Sequence, residues 1–488
     1  MKKLLGTAIA AILMFPVSSS AELLKNLKVS GNLDMQMNSA QNVTDASHTT
    51  QDRVSNVITR TMLHGDWDML DDVHGNITLR KNDKAWGDTG GIGQGATGNS
   101  QQVSGAAGTG VLGNIFMDRA NVSIDKVFGW ADVKVGRQFY GEKGDLIWYA
   151  GPRDTASQDV MSVDAFRIQG ENDWVKFDGL AGQLTNALGA AFGAGAAANV
   201  NVKGVNLWWK GLPMKVNTYL WNQTTKATGP NSNATTGRND NLYVYGVKLR
   251  GEAAGGWINL DLAKNAGECR GNAATRCGLA AGDSSNYTGH AALLDLGWNA
   301  DLANVGGITP WASFGIGTGR SDSETGTNDQ FQMISSDWRP GVINRRFSVA
   351  GTGAGGAAVV GSGLGALPNG GTDNVTTTGL GNRVVFGFGT NFTPAAMDQL
   401  TVGVQVWDYR LQRNDASNWN TPAANAHKGN KHLGTEGALT FGWNHSENVM
   451  LSAGAARFWT GGYIKEQQAA ATGDNPVTAF YSDISIRF

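Results

Sequence analysis

From one end to the other, the chain is written in stretches of nine to thirteen residues that alternate apolar and polar side chains. In the first of them Leu27, Val29, Gly31, Leu33, Met35 and Met37 share one parity, and Lys28, Ser30, Asn32, Asp34 and Gln36 share the other. A period of two puts successive side chains on opposite faces of an extended backbone, so each stretch predicts a strand with one apolar and one polar face. The last stretch does the same, with Phe480, Ile484, Ile486 and Phe488 opposed to Tyr481, Asp483, Ser485 and Arg487.

The alternating stretches fall at 27–37, 54–66, 73–83, 115–127, 131–139, 162–170, 174–184, 200–210 and 214–223 in the first half. They continue at 241–251, 257–265, 287–299, 308–318, 382–392, 399–411, 432–443, 449–459 and 478–488, an even total of eighteen. Short connections such as 128–130, 171–173, 211–213, 253–256 and 445–448 contrast with long polar ones such as 84–114, 224–240 and 319–381. Tilted strands of this length cross a bilayer, and short turns on one rim with long loops on the other mark outer-membrane barrels. The predicted fold is all-β: a single-chain transmembrane antiparallel β-barrel of about eighteen strands, with short periplasmic turns and long extracellular loops.

Composition excludes the rivals. Charged residues are 16% and glycines number 68, while 16 Trp and 17 Phe make the chain too apolar and aromatic for disorder. Beyond residue 21 no apolar run approaches the roughly 18 residues of a spanning helix. A net charge of −2 gives no basic field for nucleic acid. A soluble sandwich of this size would split into domains, yet no linker or composition break is visible, and a β-helix would show a short repeat. Trp67, Trp174, Trp209, Trp257, Trp298, Trp407 and Trp443 lie near predicted strand ends, as in an interfacial aromatic girdle.

Residues 1–21 read as a signal peptide, with Lys2 and Lys3 before the apolar run Leu4 to Val17 and small residues Ser19 and Ala21 at the cleavage site. The barrel then occupies 22–488, with the long loop 319–381 inside it. The two cysteines, Cys269 and Cys277, share one polar segment and predict a loop disulfide in an oxidising compartment.

Strand parity assigns an inward basic set: Lys28, Arg60, Arg80, Arg119, Lys134, Arg167, Lys176, Lys215, Lys248, Arg250, Arg383 and Arg487. The inward acidic set is Asp34, Asp118, Asp125, Asp132, Asp178, Asp261, Asp295, Glu436 and Asp483, with the parity of Asp118 ambiguous. Arg137 shares its parity with Val133 and Val135, which places it at a rim or at a bulge. The small basic surplus favours anions, although many of these charges are equally suited to ion pairs that hold the wall. Neither a G-x-S-x-G elbow nor H-E-x-x-H occurs, and no metal-ligand spacing or cofactor motif is present, so the chain reads as a non-enzyme. The acidic stretch 321–329 lacks the spacing of a calcium loop.

Two blocks carry a family resemblance. Within 132–168, Gly136-Arg137-Gln138, Tyr140-Gly141 and the returning Val163-Asp164-Ala165-Phe166-Arg167 resemble a strand–loop–strand block of the alginate export family of outer-membrane proteins. Within 432–466, Gly434-Thr435-Glu436, Ala453-Gly454, Phe458 and Gly461-Gly462-Tyr463-Ile464-Lys465 are similar to a late hairpin of that family. The terminal Phe488 resembles the signal by which outer-membrane barrels engage the barrel assembly machinery. The resemblance implies an eighteen-strand barrel in outer-membrane lipid that passes solute through its lumen, without fixing alginate as the cargo.

The functional expectation is a porin-like channel of the bacterial outer membrane for small hydrophilic solutes, with anions favoured. The alternatives are export of an acidic polysaccharide and a structural or adhesive surface protein. An eighteen-strand barrel leaves a water-filled lumen, so a selective channel needs a constriction. The first half of 319–381, with Phe331, Trp338 and Phe347 as anchors, is expected to fold inward and place Arg339, Arg345 or Arg346 there.

Overall fold

The computed structural model describes residues 25–42, 53–83, 115–154, 160–185, 199–226, 240–270, 284–319, 326–347, 379–413, 430–467 and 475–488. All eighteen expected strands are present. They are β1 (Lys25–Gln41), β2 (Arg53–Leu70), β3 (Val73–Asp83), β4 (Ile115–Val127), β5 (Ala131–Gln138) and β6 (Ser162–Glu171). Next come β7 (Val175–Thr185), β8 (Asn199–Trp209), β9 (Lys215–Lys226), β10 (Asp240–Ala253), β11 (Gly256–Arg270) and β12 (His290–Trp298). The last are β13 (Gly306–Gly317), β14 (Arg383–Pro394), β15 (Leu400–Leu411), β16 (His432–Ser446), β17 (Val449–Thr460) and β18 (Val477–Arg487). Short strands at Ser284–Tyr287, Ala300–Leu302 and Thr327–Asn328 lie outside this set. The signal peptide, Cys277 and 349–371 lie outside the described residues, as do the pairing of Cys269 with Cys277 and most of 321–329.

Each of the eighteen strands pairs antiparallel with its neighbour in that order, and β1 pairs with both β2 and β18, so the sheet closes on itself. Closure removes both edges, the one arrangement that lets a sheet sit in hydrocarbon with every backbone group bonded. The outward parity carries exposed apolar side chains such as Leu220, Phe386, Phe388, Val404, Phe441 and Phe480. Water would leave that surface unfavourable, whereas lipid accepts it. At the short-turn rim Trp174, Trp209 and Trp298 are exposed, as a girdle requires. Trp257 and Trp407 correct the expectation. Trp257 shares the inward parity of Asp261, and Trp407 stands opposite the buried Glu436 and packs its ring 5.3 Å from that of Trp311. Both belong to the inner wall, because proximity to a strand end does not decide the face.

The ambiguity at Asp118 is resolved by a β-bulge. Thr78 pairs with Arg119 and Leu79 with Met117, so Asp118 is the extra residue and both it and Arg119 turn inward. Arg137 points out of the wall, where it forms two hydrogen bonds to Asp164, at 2.8 and 3.0 Å, near the long-loop rim.

A constricted basic lumen as the candidate functional site

Two connections from the long-loop rim fold into the barrel and pair with each other. In the first, between β5 and β6, Leu146, Ile147, Trp148 and Ala150 are buried. In the second, between β13 and β14, Phe331, Met333, Ile334, Trp338 and Ile343 are buried. Their backbones are bonded: the amides of Ile334 and Ser335 donate to the Ile147 carbonyl at 3.1 and 3.0 Å, and Tyr149 N–H donates to the Ser335 carbonyl at 2.8 Å. Arg153 donates to the Ser336 carbonyl and lies 3.5 Å from Asp337. Burial between the segments raises the Asp337 carboxyl above its ordinary range, although Arg153 opposes the shift.

The second segment reaches strands on opposite sides of the ring, which obliges it to cross the lumen. Gln332 exchanges hydrogen bonds with Asn265 on β11. Ten residues on, Glu436 of β16 accepts the amide hydrogens of Val342 and Ile343. Finally Arg346 donates to Asn38 on β1 and to both oxygens of Asp483 on β18. Glu436 is fully buried; a carboxylate there is tolerable because charged acceptors satisfy backbone donors strongly.

In the first segment the turn at Gly141 needs a positive φ of 87°, and a Cβ there would meet the Trp148 carbonyl oxygen at 2.5 Å. The turn stacks Tyr140 on Trp148 with ring centres 4.6 Å apart, and Trp148 meets Trp221 of β9 edge-on at 4.6 Å. Asn206 Nδ2 donates to the Tyr140 hydroxyl at 2.7 Å, and burial pushes that phenol well up. Aromatic rings of this kind narrow the lumen by volume rather than by charge.

Between this cluster and the short turns lies a cavity of about 360 Å³. Its lining includes Arg167, Lys176, Lys215, Lys248 and Arg250 against Glu142, Asp145 and Asp178, so five cations face three carboxylates. Arg167 is held by Asp178 through two bonds of 2.9 and 2.6 Å. Lys248 contacts Asp145 and lies 3.7 Å from Asp261. Arg250 meets Glu142 at 2.6 Å. Among the described residues, no carboxylate stands within ion-pair distance of Lys176 or Lys215, and Lys176 sits over the Trp208 ring at 5.9 Å. Lys134 is opposite Arg167 on the same inner face.

Of the other expected lumen residues, Arg60, Arg80 and Arg119 face inward and are committed to neighbouring side chains. Arg60 pairs with Asp34 at 2.6 Å and Arg80 with Asp118 at 2.6 Å, both buried. Arg119 donates to Thr78 at 2.6 Å. Arg383 is buried where β14 begins, and Arg487 is exposed at the far end of β18. Arg345 pairs with Asp154 in the first segment, and Arg339 is part-buried beside Trp338. Parity alone does not single out Glu142, Asp145 and Trp148, which come from a connection and carry no period; the resemblance block around Tyr140-Gly141 is the one sequence feature that marks their segment.

No family model and no curated relative matches the sequence. Among solved structures, the chain resembles Pseudomonas aeruginosa OccK1 (OpdK) with a TM-score of 0.51 and 8% identity, covering 95% of this chain and 99% of that one. Pseudomonas aeruginosa OpdQ gives 0.50 and 9%, covering 96% and 99%. At such identities the likeness is one of architecture: the chain is a closed, single-chain, eighteen-strand antiparallel barrel on the same plan as OccK1 and OpdQ.

Proposed function

We propose that the chain is a channel of the bacterial outer membrane through which small hydrophilic solutes diffuse, anions in preference to cations. The observation that carries this reading is the basic surplus of the cavity, with Lys176 and Lys215 carrying no carboxylate partner among the described residues. Cations confined in a low-dielectric wall focus their field into the pore and raise the local concentration of anions. The apolar outer wall suits lipid, the leader 1–21 would direct export, and the exposed Phe488 would present the last strand to the barrel assembly machinery. Planar-bilayer recording under a salt gradient tests the reading. Conducting channels whose reversal potential favours the anion are expected, and Lys176→Glu with Lys215→Glu should shift it toward the cation. A barrel that inserts but does not conduct would overturn the proposal.

The resemblance of 132–168 and 432–466 to the alginate export family supports a second reading, export of an acidic polysaccharide. A polyanion needs a run of unpaired cations through the whole lumen. Arg60, Arg80 and Arg167 are instead paired with wall carboxylates, which favours small solutes. Competition by oligomeric uronates for anion conductance would revive the polysaccharide.

A further inference from the structure

The carboxylates that meet the cavity's cations come from two sources with different constraints. Asp178 and Asp261 are borne by strands and belong to the wall. Glu142 and Asp145 are borne by the connection between β5 and β6, which bends into the lumen. Of these two, Asp145 is fixed by more than its contact with Lys248. Its Oδ1 accepts the amides of Ile147 and Trp148 at 2.7 and 3.2 Å, so it also holds the turn. Glu142 has no such second task. Its Oε2 accepts from Arg250 Nη2 at 2.6 Å, and the two side chains stay 55% and 49% exposed to the cavity water.

A carboxylate on a flexible side chain, placed on a lumen arginine in open water, has the chemistry of an anionic solute. We propose that Glu142 is an internal stand-in for the permeating anion at Arg250, displaced by a solute carboxylate and returning once it leaves. The proposal rests on the anion-channel reading and names the residue that tunes it. While Glu142 is in place Arg250 is not available, so a solute meets the site at an affinity reduced by the fraction of molecules in which the pair is open. Displacement also moves the Glu142 charge within the cavity without creating an unpaired buried group, because both partners remain in water. Lys248 is different: Asp145 and Asp261 both serve it and all three are largely buried.

The test is conductance in sodium acetate over a wide concentration range, for the full-length wild type, Glu142→Gln, Arg250→Gln and the double variant. Both side chains are half-exposed, so the variants should fold; heat-modifiable electrophoretic mobility checks this. In Glu142→Gln the half-saturating acetate concentration should fall about two- to sixfold, the range set by an exposed pair that is mostly closed. The anion preference should rise with it. On the Arg250→Gln background the same substitution should change the half-saturating concentration no further. Equal half-saturation in wild type and Glu142→Gln, or a conductance linear in acetate for both, would overturn the proposal while leaving an anion-selective channel intact. An equal change in both backgrounds would show general electrostatics rather than competition at Arg250, and would also overturn it. A wild type that does not conduct, or prefers cations, would instead defeat the channel reading itself.

Discussion

The guanidinium of Arg346 lies over the ring of Tyr481, its Cζ 3.5 Å from the ring centre, while its nitrogens grip Asp483 two residues further along β18. Stacking and a forked ion pair on one planar group are what an arginine offers and a lysine does not. The side chain is buried, so this cation fastens the inward segment to the wall rather than facing the solute.

Arg346→Ala should therefore release the end of the segment. Removing one partner of a buried ion pair costs about 3–5 kcal/mol, enough to free the Val342–Arg346 turn from the lumen. Single-channel conductance should rise and its fluctuations increase. Arg346→Lys should recover only part of the effect. Wild-type conductance in the alanine variant would mean that the segment is held elsewhere.

Glu436 fastens the same segment by another route, through the amides of Val342 and Ile343. In Glu436→Ala two buried donors lose their acceptor, at about 1–3 kcal/mol each. Hydrogen exchange at those two amides should accelerate strongly, with little change in the strands around them. Glu436→Gln keeps an acceptor oxygen and should lie between. Uniform acceleration across the barrel would show that Glu436 supports the wall as a whole.

The two faces of β1 should respond unequally to charge. Leu33→Arg, on the parity of the exposed Val29 and opposite Ile486 of β18, should destabilise the barrel by about 2–4 kcal/mol if it lies near the bilayer midplane. Asn32→Arg, on the lumen side, should cost much less. Urea unfolding in lipid vesicles reads the difference, and equal sensitivity would refute the parity assignment.

Cys269 and Cys277 are expected to be joined in the exported protein, because they lie eight apart in one polar stretch of sequence, at and beyond the end of β11, and an export route would be oxidising. Mass spectrometry after alkylation without reductant should find no free thiol.

What could be read from the sequence divides along a physical line. Strands announce themselves locally, since each alternates every two residues, and all eighteen were legible. The parity of Asp118 is ambiguous in the sequence only because a bulge inserts a residue, which the partner register reveals and the strand itself does not. Trp407 misled for a related reason: its ring lies over Gly387 on the inner wall, where a Cβ would sit 2.3 Å away, and nothing near it in sequence says so. The inward fold of the second segment was legible as aromatic and charged anchors in an otherwise polar loop. Its partnership with Ile147 and Ser335 was not, because two connections far apart in sequence meet only when the ring has formed.

The seam between β1 and β18 sets one thing more. Gly31 and Phe488 exchange both backbone hydrogen bonds, at 2.7 and 3.0 Å, and a Cβ on Gly31 would strike the Phe488 ring at 2.6 Å. In a closed sheet the stagger summed around the ring fixes strand tilt and diameter together. A slip of two residues at this one junction would keep every side chain on its proper face, yet alter that sum and re-gauge the whole cylinder. The fit of Gly31 against the Phe488 ring, with the ladder from Asn32 to Gln41, thus holds the register on which the bore depends.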